Sequence, residues 1–198
     1  INRYDVAVSL RVAVFILCLA GRRYAAAAFV VGMGFALKIT PLALLPLVLL
    51  LVGPPRRWSW PLVAFGAAAA APFLPYVFRS WPGVWHTFQY HLERPLQIES
   101  VLGTPQLLGQ LLGAGWASWT WSHGSHSLVA PGAGLAADVS GGLTLLAVAA
   151  VYLLAWLGRE HLRRGPADQA IVVLALLLAR MTFGKVLSPQ YFIWILPA

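Results

Sequence analysis

The stretch Ala36-Leu37-Lys38-Ile39-Thr40-Pro41 interrupts an apolar run that extends from Tyr24 to Val52. A helix of about 20 residues crosses a hydrocarbon core about 30 Å thick, so this run is too long for one upright crossing. An ammonium group near lipid costs several kcal/mol unless it faces protein, water or an anion. A proline close by frees backbone carbonyls, which is tolerable where the chain lines a cavity. The stretch therefore predicts two arms, each about 21 Å long at 1.5 Å per residue, meeting at a broken turn over Lys38–Pro41. A single tilted helix of about 43 Å is the alternative, and it would put one flanking arginine pair on each side of the membrane.

The same combination recurs at Phe183-Gly184-Lys185-Val186-Leu187-Ser188-Pro189-Gln190-Tyr191, where a lysine again sits against an apolar run with a proline just beyond. Two such places point to a buried polar site that holds something negative.

The chain is 60% hydrophobic and 10% charged, with a mean hydropathy of +0.75. Soluble domains carry roughly 25% charged residues, so the composition is that of an integral membrane protein. Apolar runs lie at 5–20, 24–52, 61–78, 139–157 and 169–183, and another begins near Tyr191. The expected fold class is all-α: a polytopic transmembrane helix bundle with short or broken helices and extracytoplasmic loops. Residues 1–198 form one transmembrane domain, expected to be an internal fragment of a larger protein. Within it, 79–137 make an extracytoplasmic loop region with interfacial helices.

Charge placement sets the expected topology. Arg22-Arg23, Arg56-Arg57 and the Arg159–Arg164 cluster are compact basic turns, which the positive-inside rule assigns to the cytoplasm. Arg3, Arg11, Lys38, Arg79, Arg94, Arg180 and Lys185 then fall on or near the outer half. The 82–94 segment can lie along the surface with Trp81 and Trp85 as interfacial anchors, ended or kinked by Pro95. Segment 101–112 is apolar but too short to span and is expected at the interface, and 113–134 shows no clear period and reads as a loop. The net charge of +8 is scattered among apolar spans, without the dense basic stripe that nucleic acid requires, so no nucleic-acid partner is expected. Cys18 stands alone and reads as a small apolar helix residue.

Candidate chemistry concentrates in two segments. His91-Leu92-Glu93-Arg94-Pro95-Leu96-Gln97-Ile98-Glu99-Ser100 packs carboxylates, an arginine, a histidine and an amide between hydrophobic spans. Arg94 offers a planar fork for phosphate or carboxylate oxygens, whereas Glu93 and Glu99 could hold a sugar hydroxyl, ligate a divalent cation or act as a base. In the second segment Lys185 supplies a point charge and Ser188 and Gln190 supply hydrogen bonds. Arg11 and Arg180 either snorkel outward or line the cavity, and Asp5 suits a helix cap. His123 and His126 lack an accompanying carboxylate or cysteine, so no metal site is assigned. No phosphate-binding glycine loop, dinucleotide fingerprint, zinc-protease motif or serine-nucleophile motif occurs.

Asn2-Arg3-Tyr4-Asp5, then Leu37-Lys38-Ile39-Thr40-Pro41 ahead of leucines and Pro46, then the 91–100 segment, then Lys185-Val186-Leu187-Ser188-Pro189-Gln190-Tyr191-Phe192-Ile193-Trp194 follow in that order. This series resembles the polytopic glycosyltransferases of the GT-C superfamily, particularly family 87, which includes bacterial polyprenyl-phosphate-mannose-dependent mannosyltransferases and related arabinosyltransferases. The Ser188–Tyr191 stretch is also similar to the first mannosyltransferase of GPI-anchor synthesis. The resemblance implies a polyprenyl-phosphate sugar donor, a glycan or glycolipid acceptor, and inverting transfer on the extracytoplasmic face of a bacterial plasma membrane. Lys38, Arg94 and Lys185 are the expected ligands of the donor phosphate. His91, Glu93, Gln97, Glu99, Ser188 and Gln190 are expected at the sugar or acceptor. The family's catalytic acid lies upstream of the Arg-Tyr-Asp segment, so the general base is expected before Ile1, with Asp5, Glu93 and Glu99 as weaker candidates. No cofactor is assigned, although Glu93 or Glu99 could ligate a divalent cation. The rival readings are a transporter or flippase for a lipid-linked or anionic substrate, which also uses broken helices and intramembrane charge, and a noncatalytic membrane subunit.

Overall fold

The computed structural model describes residues 4–198, the side chains of Tyr4, Asp5, Pro189 and Gln190 excepted. The expectations placed on Asn2, Arg3, Asp5 and Gln190 therefore lie outside the described residues. The chain is mostly helical. Helix α1 spans Tyr4–Ala20 and α2 spans Tyr24–Leu37. Had α2 continued, the ring of Pro41 would have clashed with the carbonyl of Leu37. Lys38 instead adopts an extended conformation (φ −151°, ψ 140°), and a 3-10 turn at Thr40–Leu44 leads into α3, Leu45–Val52.

The Tyr24–Val52 run does fold back on itself. A Cβ on Gly34 would stand 2.9 Å from Cβ of Pro41, although the two would be about 10 Å apart along a continuous helix. At the far end of α3, Arg163 donates to the carbonyl of Leu50 at 3.3 Å. The single tilted helix is thereby excluded, and the return arm ends beside the Arg159–Arg164 turn.

Helix α4 spans Ser59–Ala70 and α5 spans Leu74–Arg79. This corrects the reading of 61–78 as one apolar run of spanning length. Pro72 and Pro75 divide it, and 12 residues reach only about 18 Å. Small residues bring α4 onto α2: a Cβ on Gly32 would meet the carbonyl oxygen of Phe65 and lie 2.9 Å from Cβ of Ala68. Close backbone approach of this kind is how helices associate where no hydrophobic drive separates them from lipid.

Helix α6 covers Trp81–Leu92, opened by Ser80, whose hydroxyl accepts from the amide of Gly83 at 3.3 Å, and by Pro82 in the first turn. It stops ahead of Pro95, as expected. A short 3-10 turn and α7 (Thr104–Leu111) follow.

The second correction concerns 113–134. It is not featureless loop but carries a β-hairpin, β1 (Ser118–Ser122) paired antiparallel with β2 (Ser125–Val129). His123 (φ 50°) and Gly124 (φ 70°) make the two-residue turn with both residues left-handed, the geometry that matches strand twist. Leu96–Ile98 runs along the other side of β2, through Leu128 N to Leu96 O at 2.8 Å and Ile98 N to His126 O at 3.0 Å.

Helix α8 spans Ala133–Leu157, α9 spans Arg159–Arg164 and α10 spans Pro166–Phe183, before a 3-10 segment at Pro189–Ile195. Among the described residues α8 and α10 are the helices long and apolar enough to cross a membrane. The main core gathers Phe15 and Leu19 of α1, Val31 of α2, Leu47 and Val48 of α3, and Val173 and Leu176 of α10. A smaller cluster of Leu96, Leu128 and Ala133 ties the hairpin to the start of α8.

Candidate functional site

The C-terminal ends of α2, α6 and α10 meet around a cavity of about 250 Å³ lined by Lys38, His91, Arg94, Arg180, Lys185, Tyr191 and Trp194, among others. Three of the lining cations are placed by a break in regular structure. Lys38 is where Pro41 ends α2, Arg94 follows the end of α6, and Lys185 follows the end of α10. The sequence therefore located these three correctly as places where a helix opens, and the tertiary fold brings them to one hollow.

The side chains are held by specific partners. Nζ of Lys185 donates to the carbonyl of Leu92 at 2.6 Å. The backbone runs alongside, with Gln97 N donating to Lys185 O at 2.9 Å. Nη2 of Arg94 donates to Oγ of Ser125 at 2.9 Å, which fastens that arginine to the hairpin. Its Nε is buried and has no hydrogen-bond partner among the described residues. Nζ of Lys38 lies 4.6 Å from the ring centroids of both Tyr191 and Trp194, which stack on each other at 4.2 Å. A cation over aromatic faces is attracted by their quadrupoles.

Arg180 is the lining cation that sequence reasoning left undecided between outward snorkelling and the cavity. It lines the cavity, and its guanidinium folds back over Gly184. The signal was available in principle: an arginine one turn before a glycine that ends the helix. Tyr191 and Trp194 lie in the resembling motif without an expected role there; their three-residue spacing places both rings on one side of a helical turn.

The remaining expected residues divide. His91 lines the cavity. Glu93 is exposed and accepts from Nε2 of Gln89 at 2.7 Å, while Glu99 accepts from Nε2 of Gln97 at 2.6 Å. Gln97 itself is buried in the strip joining Lys185 to the hairpin, with its Oε1 unpartnered among the described residues. Ser188 is half-buried, and its carbonyl accepts from the amide of Tyr191. Neither Glu93, Gln97, Glu99 nor Ser188 is among the residues lining the hollow. Arg11 lies in α1 and donates to the carbonyl of Ala7 at 3.1 Å, away from the cavity. Among the described residues no group of three or more His, Cys, Asp or Glu side chains gathers where a metal could sit.

The electrostatics are one-sided. Burial, followed by the charges of Arg94 and Lys38, holds the His91 imidazole below its usual 6.5. Burial and the neighbouring Arg180 and Arg94 likewise depress the Lys185 ammonium, with Asp138 opposing them. Beyond burial, part of each shift is repulsion from neighbouring cations, which a bound negative charge would relieve. No carboxylate occurs among the described lining residues. Chemically, such a hollow can bind a phosphate or other compact anion and stabilise negative charge as it develops.

No family model, curated protein or solved structure matches this chain.

Proposed function

We propose that this chain is part of an integral membrane glycosyltransferase of the polytopic GT-C kind. In this reading it transfers a sugar, mannose in the first instance, from a polyprenyl-phosphate donor to an extracytoplasmic glycan or glycolipid. The observation that carries the reading is the convergence of Lys38, Arg94, Arg180 and Lys185, from the ends of three separate helices, on one hollow. The acceptor hydroxyl attacks the anomeric carbon with inversion, a carboxylate takes the hydroxyl proton, and the lipid phosphate leaves. The cavity lining supplies the leaving-group half of this reaction. Its cations are held in place before the bond breaks, which is what makes such stabilisation effective.

The helices are arranged as a polytopic bundle, with the basic turns on the cytoplasmic side and the cavity toward the outer face of a bacterial plasma membrane. The cavity and the Arg159–Arg164 turn lie beyond opposite ends of α10, as this orientation requires. A transporter or flippase would need a polar route from one end to the other. Between the two ends, Leu47, Val48, Val173 and Leu176 fill the core, which favours chemistry at one face over passage through the bundle.

The test is transfer itself. The full-length protein in membranes is incubated with labelled polyprenyl-phosphate mannose and candidate glycan acceptors. Labelled product that is lost in Lys185→Gln and Arg180→Gln variants of normal abundance supports the reading. Donor that crosses the bilayer unchanged, with no product under any acceptor, rejects it in favour of the flippase.

A further inference from the structure

Trp116, Trp119 and Trp121 are all more than half exposed, at 57%, 58% and 64%. Indole rings are costly to leave in water, and an exposed cluster of them marks a surface that something covers. Trp119 and Trp121 alternate along β1 opposite Leu128 and His126, so the two indoles share one face of the hairpin. The imidazole of His126 stands edge-on to both, at 4.5 Å and 5.0 Å. Helix α7 and β1 flank one open hollow that includes Leu107, Gln110 and Trp119. On α7 and just past its end, Leu111 and Leu112 are 81% and 79% exposed.

The height of this surface follows from α8. That helix begins four residues after β2 ends, and only 11% of its most apolar window is buried by protein. Its 25 residues extend about 37 Å, slightly more than a hydrocarbon core of about 30 Å. At its other end Trp156 lies under the guanidinium of Arg159 at 5.0 Å. Tryptophans thus stand ahead of the first turn of a span-length helix and in its last turn, where amphipathic rings settle at headgroup level.

We infer that the hairpin and α7 form a membrane-surface docking element, with Trp116, Trp119, Trp121, Leu111 and Leu112 seated in the headgroup layer of the leaflet next to the start of α8. The proposal rests on the membrane setting of α8 and not on glycosyl transfer. Ser125 joins this element to Arg94, so the lipid surface also fixes the height at which the cationic cavity opens. A second class of occupant, a soluble oligosaccharide stacking on the indoles, is weighed by the same experiment.

The test uses the full chain with Cys18→Ser, reconstituted into phosphatidylethanolamine–phosphatidylglycerol vesicles. Spin labels are placed singly at Trp116→Cys, Leu112→Cys and, as a reference in mid-span, Leu146→Cys. Two positions on the element keep the test alive if one variant fails to fold. Power saturation then compares relaxation by oxygen with relaxation by a water-soluble nickel chelate. The expected result is oxygen-dominated relaxation at Leu146→Cys, with shallow immersion at Trp116→Cys and Leu112→Cys that is lost on adding Trp119→Ser and Trp121→Ser. A lipid-immersed Leu146 label beside fully nickel-accessible labels on the element overturns the inference and leaves the membrane reading standing. Nickel accessibility at the element that a soluble oligosaccharide suppresses overturns it in favour of a glycan platform. Nickel accessibility at Leu146→Cys itself removes the membrane setting and the inference together.

Discussion

The guanidinium of Arg180 occupies the space that a Cβ at residue 184 would fill, and the carbonyl of Arg180 would lie only 2.5 Å from that Cβ. Gly184 is therefore what lets α10 end with an arginine folded over its last turn. Its own φ of −71° is ordinary, so the requirement is one of space and not of backbone conformation. Gly184→Ala is expected to displace Arg180 and shift the chain leading to Lys185, an overpacking cost of about 1–3 kcal/mol. Thermal unfolding in detergent should show a lowered midpoint, with phosphate-anion binding weakened further than the stability loss accounts for.

Lys185 is tied to Leu92 across 93 residues of sequence. Under the proposed function, Lys185→Gln removes a preorganised charge from the leaving phosphate, and losses of about 100-fold or more in turnover accompany such removals. Expression and detergent stability should stay near those of the parent, because the tie is a single hydrogen bond from a half-buried side chain that Gln can still donate. Unchanged turnover with labelled donor would remove Lys185 from the site.

The pH dependence at His91 has a definite sign. Its native pKa lies below the usual 6.5, so the unfolded chain binds more protons as pH falls through that value. Stability without ligand should therefore decline on acidification below about 6.5. Anion binding should move the other way, because a bound anion favours the imidazolium and raises the pKa of His91. Calorimetry with inorganic pyrophosphate at pH 5.5 and 7.5 should show tighter binding at the lower value, and His91→Gln should flatten that difference.

Gly32 is where α2 and α4 touch backbone to backbone. Gly32→Leu forces the helices apart, because even a Cβ there meets the backbone of Phe65 and the side chain of Ala68. The expected outcome is loss of folded protein in mild detergent, measured by size exclusion, whereas Gly66→Leu, with nothing within 4 Å of its added Cβ, should behave as the parent. Equal recovery of both variants would argue against the close contact.

Local sequence was a good guide where local sterics decide. Pro41 ended α2 and Pro95 stood beyond the end of α6, as a ring that excludes the preceding carbonyl must do. The same rule acts at Pro72 and Pro75, where the continuous apolar character of 61–78 masks a real break. The hairpin was missed because its apolar side chains are few and its turn is His123-Gly124, not the more familiar Asn-Gly. Its alternation of Trp119 and Trp121 around a two-residue turn was nonetheless visible.

The sequence by itself determined that the chain is apolar and mostly helical, and where its helices open around Lys38, Arg94 and Lys185. Those outcomes depend on composition and on clashes between residues a few positions apart. Only the tertiary structure decided that Arg180 joins them, that Glu93 and Glu99 stay out of the cavity lining, and that Arg94 is fastened to Ser125 of the hairpin. These depend on which helix faces meet, through contacts such as Lys185 with Leu92 and Pro41 with Gly34. A choice of packing partner is settled by how the whole surface of an element fits its neighbours, and no short window of sequence contains it.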